Sequence, residues 1–100
     1  EKSLLPIIDF AYQGFGRGLT EDASGLLAIL DVSREAIVCN SFSKNFGLYS
    51  ERTGGLLLVA DDEAAKTAAM SQLKKVVRCN YSNPPRHGAE IVSTILSNES

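Results

Sequence analysis

Apolar positions along the chain fall into stretches of two kinds, short unbroken runs and longer segments with helical spacing. Leu4 to Ala11 is apolar apart from Asp9 and reads as a strand, with Pro6 at its start, where a missing N–H costs least. A glycine-rich loop follows, Gly14-Phe15-Gly16-Arg17-Gly18. Ala23, Leu26, Leu27 and Leu30 then fall at i, i+3, i+4 and i+7, on one face of a helix. Thr20 is the expected N-cap of that helix, and Glu21 and Asp22 stand in its first turn, where acids suit the dipole. Ala36 to Cys39 is a short apolar run of the kind found in strands buried on both faces. Asn40 to Ser50 is polar and aromatic and reads as a functional loop, and Gly54 to Ala60 as another strand. Asp61, Asp62 and Glu63 open a helix with the stripe Ala65, Ala69, Leu73 and Val76, and Lys74, Lys75 and Arg78 lie at its favourable C-terminal end. Ser82 to Pro85 breaks the chain. His87 to Asn98 reads as a last helix with Ala89, Val92, Ile95 and Leu96 on one side.

Strands separated by helices at this spacing predict an α/β layer structure, a mostly parallel sheet with flanking helices. The strand at Gly54 follows the strand at Ala36 without an intervening helix. It is therefore expected to run antiparallel, since a parallel return needs a crossover, usually helical.

Composition narrows the function classes. The 100 residues carry a net charge of −2, with 44% hydrophobic and 22% charged positions, which excludes a collagen-like or disordered chain. No apolar run exceeds Leu56–Ala60, far short of the ~20 residues of a membrane helix. No secretory signal is visible. Ten Lys and Arg against twelve Asp and Glu leave no basic footprint for nucleic acid. Cys39 and Cys79 form no CxxC pair and are expected to be small buried hydrophobes in a reducing compartment, so cytoplasm is the expected location. His87 has no Cys or His partner at metal spacing, and no metal site is expected. Gly14-x-Gly16-x-Gly18 departs from the dinucleotide fingerprint. The ends, with no initiator Met and a stop just after Ile95-Leu96, lead us to expect a segment of a longer protein.

The chemistry-bearing stretch runs from Asn40 to Gly54. Lys44 lies in a loop beside hydroxyls, eight residues before Arg52. It is either a solvated lysine or an amine used as a nucleophile toward a carbonyl. Ser41, Ser43 and Arg52 would suit a phosphate, the arginine through a two-point contact. Asp9 is a carboxylate in an apolar stretch, expensive there if left alone, and reads by itself as a strand-end acid that caps a turn. Tyr12 reads by itself as packing with a wet hydroxyl, and Arg78 as a cation complementing a helix end.

Three blocks carry a resemblance. Ser41-x-Ser43-Lys44-Asn45-Phe46-Gly47-Leu48-Tyr49-x-Glu51-Arg52-x-Gly54 resembles the cofactor-lysine segment of class I aminotransferases, the aspartate and aromatic subgroup. Asp9-Phe10-Ala11-Tyr12-Gln13-Gly14-Phe15 and Arg78-x-Asn80-Tyr81-Ser82-Asn83-Pro84-Pro85-x-x-Gly88-Ala89 agree in order and spacing. The resemblance implies that residues 1–100 are an incomplete part of the large domain of a fold type I enzyme that uses pyridoxal 5'-phosphate. It implies Lys44 as the catalytic residue, holding the cofactor as an internal aldimine and then shuttling a proton. It implies Asp9, Tyr12, Ser41, Ser43 and Arg52 as cofactor-binding residues. Arg78 and Ser82 are implied to reach the substrate in the second subunit of a homodimer. The implied reaction moves the amino group of aspartate to 2-oxoglutarate by ping-pong half-reactions. An aromatic-amino-acid aminotransferase, a lyase on the same fold and a catalytically incompetent truncated chain are the alternatives.

Overall fold

In the computed structural model, which describes residues 4–98, three strands and four helices follow one another as β1 (Ile7–Phe10), α1 (Leu19–Asp22), α2 (Ser24–Leu30), β2 (Ala36–Ser41), β3 (Gly54–Val59), α3 (Glu63–Asn80) and α4 (His87–Ser97). The strands form one sheet in the order β1-β2-β3. β1 and β2 pair in parallel, with Asp9 opposite Cys39, and β2 and β3 pair antiparallel, with Ser41 opposite Gly54. The sheet is thus mixed. The α1–α2 segment provides the crossover that a parallel pair requires, and β3 reverses for want of one.

The helix starts follow local chemistry. Asp62 caps α3, its carboxylate accepting the Ala65 N–H at 2.7 Å. The first helical segment departs from expectation. It starts at Leu19 with Gly18 at the cap, Thr20 caps nothing, and a turn at Ala23 divides it into α1 and α2. The carboxylate that matters there is that of Asp22, whose oxygens are taken up by the preceding loop.

The core is small. Ala36 and Val38 of β2 and Val92 of α4 are buried, and among the described residues no large side chain is buried completely. β2 is covered on the Ala36/Val38 face only; Ile37 is half-buried and Cys39 exposed, which corrects the expectation of a strand buried on both faces. Both cysteines are exposed rather than buried. These corrections share a cause: three strands and two long helices supply too little covering layer for two sheet faces. On α3 the half-buried positions are Ala65, Ala69, Leu73 and Val77, while Val76 points outward. On α4 Gly88 and Val92 are buried and Ile91 is half-buried, whereas Ala89, Ile95 and Leu96 are exposed. Gly88 must be glycine, because a Cβ there would strike the Thr53 hydroxyl; α4 therefore starts against the segment that leads into β3. Among the described residues no helix is long and apolar enough to cross a membrane.

Candidate functional site

The topology gathers the candidate residues along one edge of the sheet. β1 and β2 are parallel, so both carboxyl ends emerge on the same side, and antiparallel β3 begins there. Asp9 stands one residue from the end of β1 and Tyr12 just after it; Ser41 ends β2 and Ser43 and Lys44 follow; Arg52 lies two residues before β3. The crevice beyond the carboxyl ends of parallel strands is where open α/β sheets take their ligands.

The Lys44 loop is held by its own bonds. The Phe42 N–H donates to the Thr53 carbonyl at 3.1 Å, the Leu48 N–H to the Phe42 carbonyl at 3.3 Å, and the Gly47 N–H to the Lys44 carbonyl at 3.0 Å. Phe42 and Phe46 meet edge to face with centroids 5.2 Å apart. Ser43 is buried, at 6% exposure, and its N–H donates to Ser41 Oγ at 3.2 Å. That bond uses a lone pair of the Ser41 hydroxyl and leaves its hydrogen free to donate. Among the described residues Lys44 Nζ has no carboxylate partner; it sits 5.3 Å from the centre of the Tyr12 ring, a cation–π distance. Asn45 Nδ2 donates to the Gln13 carbonyl at 3.3 Å, tying this loop to the one after β1. The buried oxygens Asn40 Oδ1 and Asn45 Oδ1 lack partners.

Arg52 is exposed and adopts a left-handed backbone conformation, φ 52°, with Nη1 donating to the Tyr49 carbonyl at 2.9 Å. Most of its guanidinium donors stay free for an anion. Ser82 is the other non-glycine residue with positive φ among the described residues, at 72°. Such conformations cost of order 1–3 kcal/mol and gather at functional sites. Both of these belong to the candidate set.

Arg78 and Ser82 stand apart from the Lys44 group. Arg78 Nη1 donates to Ser82 Oγ at 2.7 Å, and no hydrogen bond or ion pair joins either of them to the sheet edge. Two cavities mirror this separation. One of about 440 Å³ opens beside Asp9 and Tyr12 and reaches Phe15 and Asp22. A larger groove of about 650 Å³ runs along α3 past Met70 and Lys74 to Arg78, and includes none of the Lys44 group. Volume does not choose between them; the convergence of amine, hydroxyls, guanidinium and carboxylate marks the sheet edge. No cluster of metal-ligating side chains occurs among the described residues.

Three residues of this neighbourhood escaped the sequence reading as site elements: Gln13, Asn45 and Asp22. Asp22 accepts three backbone N–H bonds from the glycine-rich loop, and these hold its carboxyl below the usual carboxylate range, the Gly16 bond contributing most and Arg17 next. The available signal was a run of glycine amides needing an acceptor.

Comparison with known proteins decides the family. A family model described as aminotransferase class I and II matches residues 1–100. The chain belongs to this family. It is 60% identical over 99 residues to an aspartate aminotransferase of Salmonella typhi, covering 99% of this chain and 25% of that protein. It is 48% identical over 98 residues to an aromatic-amino-acid aminotransferase of Escherichia coli, covering 98% of this chain and 25% of that protein. Among solved structures, an aromatic-amino-acid aminotransferase from Burkholderia pseudomallei covalently bound to pyridoxal phosphate superposes with a TM-score of 0.90 at 42% identity, over 94% of this chain and 24% of that one. An aromatic amino acid aminotransferase with 3-indolebutyric acid gives 0.92 at 49% identity, over 95% of this chain and 24% of that one. The chain therefore spans about a quarter of the length of the relatives it matches.

Proposed function

We propose that this chain carries the cofactor-holding edge of a pyridoxal-phosphate-dependent aminotransferase acting on aspartate and 2-oxoglutarate in two half-reactions. The observation that carries the reading is the convergence at one strand edge: an amine without a carboxylate partner, on Lys44, beside the Tyr12 ring and within the stretch that also bears Ser41, Ser43 and Arg52. The donor set fits the cofactor. Arg52 and the Ser41 hydroxyl have donors to spare for a phosphate, with Ser43 beside them. The exposed Asp9 carboxylate, near the end of the parallel neighbour, is suited to hold a proton at a ring nitrogen.

Bound pyridoxal phosphate supplies a covalent anchor for the substrate nitrogen and draws electrons from the substrate α-carbon. Lys44 Nζ would hold the cofactor covalently and, as a free amine, would remove and return the proton at that carbon. The Tyr12 hydroxyl would donate to the ring oxygen of the bound cofactor. Arg78 and Ser82 act across a homodimer interface, the guanidinium taking the side-chain carboxylate of a dicarboxylic substrate. Their separation from the Lys44 group within one chain supports a role at the neighbouring subunit's site.

A second reading, an aromatic-amino-acid aminotransferase, is supported by the 48–50% identities to enzymes so named. It keeps the same residues and changes the amino acid. The test uses the full-length protein that carries this sequence. Its visible cofactor band is expected to bleach with aspartate and return with 2-oxoglutarate. Bleaching by phenylalanine or tyrosine but not aspartate would select the second reading. A band that neither class of amino acid bleaches would overturn both.

A further inference from the structure

The carboxylate of Asp22 gathers the amides of the glycine-rich loop. Oδ2 accepts from the Gly14 N–H at 2.9 Å and the Gly16 N–H at 2.8 Å, and Oδ1 accepts from the Arg17 N–H at 2.9 Å. Three charge-assisted bonds on one side chain fix a segment that glycines would otherwise leave loose. The space around the carboxylate is closed on the Gly16 side, because a Cβ there would collide with Asp22 Oδ1.

This loop is what positions Tyr12. The Phe15 N–H donates to the Tyr12 carbonyl at 3.2 Å, and the two rings meet edge to face with centroids 6.2 Å apart. Gln13 is held from both directions: its Nε2 donates to the Leu19 carbonyl at 2.9 Å, and its carbonyl accepts from Asn45 Nδ2 at 3.3 Å. Asn45 is the residue after Lys44, and the Lys44 amine lies 5.3 Å from the Tyr12 ring centre. Tyr12 itself is largely exposed, so packing does not hold it; the loop does.

We propose that Asp22 is a positioning residue for the proposed cofactor site: it clamps the Gly14–Arg17 loop and through it sets the Tyr12 hydroxyl and the Lys44 amine relative to each other. Asp22 touches neither cofactor nor substrate. The proposal rests on the reading of Lys44 and Tyr12 given above.

The test compares full-length wild-type protein with Asp22→Asn and Gly16→Ala. Asparagine presents one acceptor oxygen instead of two, so at least one of the three bonds is lost; the alanine methyl displaces the carboxylate from the other side. Asp62→Ala, which removes a helix cap away from the site, controls for general loss of stability. Two quantities are read: hydrogen exchange at the Gly14, Gly16 and Arg17 amides, and the pH midpoint of the visible band of bound pyridoxal phosphate. Both loop variants are expected to exchange those amides about tenfold faster and to raise the midpoint by roughly half a pH unit, about threefold in proton affinity. In a Tyr12→Phe background Asp22→Asn adds no further shift. Asp62→Ala lowers the melting temperature and leaves the midpoint at the wild-type value.

Faster exchange with a wild-type midpoint would make the clamp purely structural and overturn the proposal. So would unchanged exchange in both loop variants. A wild-type protein without a visible band would remove the cofactor reading, and this inference with it, a result distinct from the other two.

Discussion

The two ends of the candidate site are built differently. At the sheet edge, the loop bearing Lys44 is closed by backbone bonds from Phe42, Gly47 and Leu48 and by an aromatic pair, with Ser43 buried beneath it. At the end of α3, Arg78 is exposed and, among the described residues, hydrogen-bonds to Ser82 alone, and the helix around it turns Met70 and Val76 to the outside. One region carries its own scaffold; the other presents functional groups on an uncovered surface. A group that must hold a cofactor through many turnovers needs preorganised support from its own chain. The role proposed for Arg78 at a neighbouring subunit would call for that exposure.

Substitutions can break this contrast, the largest effect coming first. Lys44→Ala in the full-length protein is expected to lower kcat by at least about a thousandfold, since both the covalent anchor and the proton carrier are lost; steady-state assay with aspartate and 2-oxoglutarate checks it. Arg78→Leu is expected to lower kcat/KM for aspartate by about 10- to 100-fold, the value of a charge-assisted contact, while activity on an aromatic amino acid persists. Equal losses on both substrates would assign Arg78 to the fold rather than to substrate choice. Val38→Ala, at a buried core position, is expected to cost about 2 kcal/mol in denaturant unfolding. Asp62→Ala, which removes the cap of α3, is expected to cost about 1 kcal/mol by the same measurement.

The smallest effect is that of pH on the Asp22 clamp. Its carboxyl is held below the ordinary value by the Gly16, Arg17 and Gly14 amides. A lowered native pKa means that the contribution is fully present above the unfolded value and is lost as pH falls through the native one. Exchange at the three loop amides is therefore expected to keep a flat protection factor from about pH 8 to about pH 5 and to lose protection only under more acid conditions.

Much of the fold could be read from local pattern. The antiparallel course of β3 follows from a connection without a helix, and Asp62 caps α3 in the acidic cluster expected to open it. Ala65, Ala69 and Leu73 face inward as their spacing requires, but Val77 rather than Val76 continues the row. The exposed Cys39 and Cys79 and the single covered face of β2 were not legible, because burial depends on how many elements pack on each sheet face, which local apolar pattern does not state. At the site, Lys44 stood out through its motif. Its approach to Tyr12 depends on the parallel pairing of strands far apart in sequence. Asp22 was hidden for a third reason: at a helix start an acid has an ordinary explanation, and its actual partners are amides five to eight residues back.

The central claim is that Lys44 is the covalent anchor. Incubating the full-length protein with pyridoxal phosphate, reducing it with borohydride and mapping the stable adduct by peptide mass spectrometry tests that directly. The account predicts a single modified peptide with the label on Lys44. A label on Lys66, Lys74 or Lys75 in its place, or no label at all, would contradict it.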